Sequence, residues 1–64
     1  MKKFKIYDLY EGKETIGYAD TISEMKKIGK EYYNDTDGEC ALVYAKLDEN
    51  IQKYKFSERK NLSI

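Results

Sequence analysis

Sixty-four residues carry twelve basic and twelve acidic side chains, seven tyrosines, one cysteine, and no histidine, proline or tryptophan. At this length there is room for one domain, and such a chain buries only about 60% of the surface its unfolded form exposes, which leaves little material for a deep substrate cleft. Without histidine there is no Ser–His–Asp or Cys–His pair, no imidazole metal ligand and no imidazole pH switch, and a lone Cys40 allows neither an intramolecular disulfide nor a thiolate zinc site.

Leu, Ile, Val and Phe total thirteen. That sits at the edge of the range where chains stay disordered, but the high net charge that accompanies disorder is missing. Nine aromatic residues fill part of the deficit. The zero net charge is unevenly spread: residues 1–30 sum to +2, residues 31–50 to −5 and residues 51–64 to +3. Charges follow Met1-Lys2-Lys3 too closely for the apolar stretch of a signal peptide. No apolar run approaches the roughly 20 residues of a membrane-spanning helix. With its free thiol, the chain reads as cytoplasmic.

Residues 3–10 read as a strand, with Phe4 and Ile6 alternating against Lys3, Lys5 and Tyr7. The alternation breaks at Asp8-Leu9-Tyr10, where a bulge or fraying is expected. Glu11-Gly12-Lys13-Glu14 is a turn with Gly12 free to take positive φ. Thr15–Tyr18 is a second short strand placing Ile16 and Tyr18 on one face. Thr21-Ile22-Ser23-Glu24 is a capping box, and the helix behind it spaces Ile22, Met25, Ile28, Gly29, Tyr32 and Tyr33 along one side. Gly29 costs a helix about 1 kcal/mol relative to Ala, which points to close approach of the helix to the sheet. Asn34 is the expected left-handed residue at the helix end.

Residues 34–39 form an acidic loop, and Cys40–Leu47 a third strand that is apolar on both faces except at Lys46. Asp48-Glu49-Asn50 fits a three-residue hairpin loop with Asn50 left-handed. Ile51–Phe56 is a fourth strand, alternating Tyr54 and Phe56 against Lys53 and Lys55. The expected organisation is one α+β domain over residues 1–56, with one helix on a four-stranded, mainly antiparallel sheet. Residues 57–64 are expected to be a mobile tail.

Two hairpins flanking one helix, in the order ββαββ over residues 3–56, resemble the β-grasp architecture of ubiquitin-like and bacterial immunoglobulin-binding domains. The resemblance implies first and last strands side by side in the middle of the sheet; the alternative has the two hairpins merely adjoining. It carries no motif and implies no function.

No residue pattern supports catalysis, a cofactor or a metal. Asp35, Asp37 and Gly38 match three places of an EF-hand loop, but the first and twelfth places would be Tyr33 and Tyr44, which are not ligands. Cys40 follows Asp37, Gly38 and Glu39 rather than the cation or helix N-terminus that activates a thiol. Glycines 12, 17, 29 and 38 are too dispersed to cradle a phosphate. With no catalytic constellation, no small-molecule substrate and no membrane partner are expected.

The informative pattern is on the sheet. With Phe4, Ile6, Tyr54 and Phe56 toward the helix, Lys3, Lys5, Lys53, Lys55 and Tyr7 share the open face. The third strand adds either Leu42 and Tyr44, or Val43, Ala45 and Leu47, to them. The leading expectation is a non-catalytic binding module that engages a protein partner, or a second copy, through the open face around Tyr7, Leu42 and Tyr44. The alternative is a nucleic-acid-binding protein using Lys3, Lys5, Lys53 and Lys55 among the aromatics. A third reading, suggested by a composition that suits an AT-rich genome, is a small phage or mobile-element inhibitor of a host protein.

Overall fold

In the computed structural model, which describes residues 1–64, one helix packs on one side of a curled antiparallel sheet. The elements run β1 (Phe4–Asp8), β2 (Glu14–Ala19), α1 (Ile22–Asp35), β3 (Leu42–Asp48), β4 (Lys53–Tyr54), a 3₁₀ turn (Phe56–Glu58) and β5 (Lys60–Asn61). The α+β class and ββαββ order are as expected from the sequence, with β5 as an additional short strand. The strand order is β2-β1-β3-β4. β1 therefore lies antiparallel beside β3, and the first and last strands are not neighbours as in a β-grasp. The two hairpins adjoin instead.

Alternation on β1 sets the two faces. Phe4 and Ile6 point to the helix side and pair across with Lys46 and Tyr44, while Lys5 and Tyr7 point away and pair with Ala45 and Val43. The helix-side core holds Ile6, Ala19, Met25, Leu42 and Leu62. A second, smaller core of Tyr7, Val43 and Ala45 lies on the other side, flanked by Leu9, Tyr54 and Phe56. Burial on both sides explains why β3 is apolar on both faces.

The parity of β2 is broken by a bulge. Gly17 pairs with Ile6 and Thr15 with Tyr7, so Ile16 is the extra residue. The bulge keeps Ile16 against the helix-side core and sends Tyr18 to the opposite face beside Tyr54. Of the fraying or bulge expected at Asp8-Leu9-Tyr10, the first is found: β1 ends at Asp8, and the bulge lies in the partner strand.

α1 starts as its sequence requires: Thr21 Oγ1 accepts from the Glu24 backbone N–H at 3.1 Å. The box is closed by one arm only, because the Thr21 hydroxyl donates to the Glu24 carboxylate rather than the carboxylate reaching the Thr21 N–H. Met25 and Gly29 are buried, whereas Ile22 and Tyr33, at the margins of the expected apolar stripe, are exposed. The helix runs one residue past Asn34, and the left-handed positions are Asp37 and Gly38.

The second hairpin differs most from expectation. β4 is only two residues long, because the turn occupies residues 49–52 and takes Gln52, not Asn50, into positive φ. Beyond Tyr54 the chain leaves the sheet at Lys55, makes the 3₁₀ turn, and returns as β5 along the same outer edge of β3. Within the short C-terminal tail, residues 57–64, Lys60–Leu62 are thus built into the fold, where a mobile segment is expected from the sequence. The Leu62 N–H donates to the Leu42 carbonyl at 3.0 Å, and its side chain is only 8% exposed. Gly29 makes room for it: a methyl carbon there would stand 2.8 Å from Leu62 Cδ2 and 3.2 Å from Ile64 Cγ2. The sequence shows Leu62 as an isolated apolar residue among polar ones, and strand periodicity has nothing to detect in so short a segment.

Candidate functional site

The face opposite α1 collects aromatic rings and cations from four separate segments. Tyr54 pairs with Leu47, which has the parity of Val43 and Ala45, so Tyr54 and Phe56 land on the Tyr7 side and not on the helix side. Tyr7 and Phe56 meet edge-to-face at 4.9 Å between centroids, and Tyr18 and Tyr54 meet tilted at 5.8 Å. Such pairs add about 0.5–1.5 kcal/mol beyond their buried area. The Tyr54 hydroxyl donates to the Lys2 carbonyl at 2.7 Å, tying the N-terminal residues to this side.

Cations interleave with the rings. Lys5 Nζ stands 5.2, 5.7 and 5.8 Å from the ring centroids of Tyr7, Tyr18 and Tyr54. Lys13 Nζ stands 4.1 Å from Phe56 and 5.7 Å from Tyr7, and the Arg59 guanidinium 4.5 Å from Phe56. Burial, then the neighbouring phenols Tyr18 and Tyr54, push the Tyr7 hydroxyl above its ordinary value. Tyr54 is raised as well, by burial, Tyr18 and Asp20. Both phenols therefore stay neutral at neutral pH.

A shallow concavity of about 580 Å³ lies between these groups, lined by four lysines (Lys2, Lys5, Lys13, Lys53), three tyrosines (Tyr7, Tyr18, Tyr54), Phe56, Met1 and Gln52, with no acidic residue. Lys2 is engaged by Asp20 and Glu24 at 3.9 and 4.0 Å. Ion pairs elsewhere hold Lys55 with Asp48 and Glu58. Lys5, Lys13, Lys53 and Arg59 have no carboxylate within ion-pair distance.

The residues singled out from the sequence divide between the two sides. Lys5 and Lys53 border the concavity, and Tyr7 is its floor, but Tyr7 is only 3% exposed because Phe56 and the lysine stems cover it. Leu42 and Tyr44 are on the helix side, where Leu42 belongs to the core and Tyr44 packs against Phe4. Lys3 and Lys55 line a separate groove with Asp20, Asp48 and Glu49, whose mixed charges favour no partner of one sign. Lys13, Tyr18, Tyr54, Phe56 and Arg59 also belong to this face, where the sequence pattern does not place them. Lys13 lay in a turn, and the bulge at Ile16 inverted the parity assigned to Tyr18.

The chain has one further polar cluster. Asp8, 6% exposed, accepts from the Tyr10 and Ala41 backbone N–H groups at 2.9 Å each and from the Tyr32 hydroxyl at 2.8 Å. Burial pulls its carboxyl upward, but the three donors outweigh that and leave it below the usual carboxylate range. Hydrogen bonding to Asp8, with burial and nearby negative charge, pushes Tyr32 up to about 12. This carboxylate joins β1, α1 and the segment entering β3, and its lone pairs are committed to structure. No group of three or more Cys, Asp or Glu side chains is placed to hold a metal ion, and no helix is long and apolar enough to cross a membrane. Comparison with protein-family models, with curated proteins and with solved structures finds no match to this chain.

Proposed function

We propose that this protein is a non-catalytic binding module that presents the lysine–tyrosine face to an anionic partner. The observation that carries the reading is the composition of the concavity: four lysines and four aromatic rings, with no acidic residue. Rings give flat contact area at low conformational cost, and clustered cations attract and orient a partner of opposite charge. Leu42 and Tyr44 no longer contribute to this reading, since both belong to the other side of the sheet. Retention on a heparin resin tests it. The wild type elutes at higher salt than a Lys13→Glu/Lys53→Glu variant. A charge-matched Lys26→Glu/Lys30→Glu variant, altered at exposed positions of α1, elutes with the wild type. Equal elution of the two variants refutes the assignment of the face.

A further inference from the structure

Resting on that reading of the face, we infer that the anionic partner is a single-stranded nucleic acid. Cations and rings alternate at short range here, with Lys5 Nζ within 5.8 Å of three rings and Lys13 Nζ 4.1 Å from a fourth. A single strand offers the complementary alternation of phosphates and unstacked bases, and single-strand binders hold it with aromatic platforms in a basic groove. A duplex keeps its bases stacked inside and offers the rings no partner.

The kind of cation argues in the same direction. Protein–protein interfaces are depleted in lysine and enriched in arginine, whereas this face has three unpaired lysines and one arginine. A lysine ammonium binds phosphate oxygens as a compact point charge. A phosphate reaching Lys5, Lys13, Lys53 or Arg59 displaces no internal carboxylate. The platform is also specific. Tyr7 is enclosed and Phe56 is covered by Tyr7, Lys13 and Arg59, while Tyr18 is 45% exposed beside Lys5. Tyr18 is therefore the ring on which a base stacks, with half-buried Tyr54 beside it.

The test is fluorescence anisotropy of the full chain with a labelled oligothymidylate of about ten nucleotides, a duplex of the same length, and heparin and polyglutamate as competitors. Four cations neutralising four phosphates, at about 0.7 per phosphate for a single strand, give a log–log salt slope of about −3. Affinity then falls about 50-fold between roughly 50 and 200 mM salt. Tyr18→Ala weakens the single strand by about 5- to 150-fold, the worth of one stacked base, without changing that slope. Tyr18→Phe and the control Tyr33→Ala bind as wild type, and Lys13→Ala with Lys53→Ala flattens the slope by about 1.4 units. Heparin and oligothymidylate binding that is indifferent to Tyr18→Ala overturns the nucleic-acid inference and leaves the anionic-partner reading standing. Tighter binding of polyglutamate than of oligothymidylate overturns it in favour of an acidic protein. Failure to bind any of the polyanions overturns both.

Discussion

Replacing Gly29 by alanine sets two effects of opposite sign against each other. An alanine in a helix interior is worth about 1 kcal/mol over glycine. Here, however, its methyl carbon would lie 2.8 Å from Leu62 Cδ2, 3.2 Å from Ile64 Cγ2 and 3.4 Å from Leu42 Cδ1. Over-packing of this kind costs about 1–3 kcal/mol. Leu62 has little room to retreat, because its own N–H is held by the Leu42 carbonyl. Gly29→Ala is therefore expected to destabilise the fold by about 1 kcal/mol. In a Leu62→Ala background the closest contact is gone, and the same substitution is expected to stabilise by about 0.5 kcal/mol. Leu62→Ala alone costs about 2–3 kcal/mol, within the roughly 3–10 kcal/mol expected of a domain this size. The resulting coupling of about 1.5 kcal/mol stands well above the roughly 0.3–0.5 kcal/mol scatter seen between independent sites. Urea unfolding of the four proteins, followed by far-ultraviolet circular dichroism, measures it. If Gly29→Ala stabilises the wild type by the full helix increment and shows no coupling to Leu62, the C-terminal segment is not seated on α1, and residues 57–64 are the mobile tail the sequence suggests.

The Asp8 cluster yields two pH-dependent expectations of opposite sense. Asp8 is held below its ordinary value in the fold, so its contribution is present above the unfolded value of about 3.9 and lost as pH falls through the folded one; the urea midpoint of the wild type should fall more steeply on acidification than that of Asp8→Asn, and parallel curves would refute the role of the carboxylate. Tyr32 is raised to about 12, so its contribution is whole below the unfolded value of about 10 and lost as pH rises from there through the folded value; Tyr32→Phe should remove that alkaline loss and the latest ionisation in an ultraviolet titration, and a titration unchanged by the substitution would refute the Asp8 pairing.

The parts of this fold visible in the sequence are those governed by local chemistry. Thr21 and Glu24 mark the helix start, Met25, Ile28, Gly29 and Tyr32 its packed side, and Phe4 and Ile6 the inner face of β1. What stayed hidden depends on register between distant segments. One extra residue at Ile16 reverses the face of Tyr18, and no propensity marks where a bulge falls. Tyr54 and Phe56 share a face as their alternation requires, but which face follows from the pairing of Tyr54 with Leu47, a long-range fact. The candidate site inherits the same division: Lys5 follows from strand alternation, whereas Lys53, paired with Asp48 and so opposite in parity to Tyr54, borders the concavity against that alternation, and Lys13 and Arg59 join the face through the packing of Phe56.

The scarcity of aliphatic residues gives the lysine–tyrosine face a double role that governs how it can be probed. A chain this thin covers the second side of β3 largely with aromatic rings: Tyr7, Tyr54 and Phe56 pack with Val43 and Ala45, and Lys5, Lys13 and Arg59 are laid over the rings. Long basic side chains bury their stems on apolar surface while the charge stays in water, so the same lysines close the core and carry the surface potential. Tyr7→Ala or Phe56→Ala would accordingly cost several kcal/mol of stability and report on folding, whatever the partner. Tyr18 and Lys53 are exposed and lie outside that cover, so their substitution separates recognition from packing, which substitution of Lys13 does not. If Lys13→Glu and Lys53→Glu change neither heparin retention nor the urea midpoint, the cations serve only solvation and the functional surface lies elsewhere on the molecule.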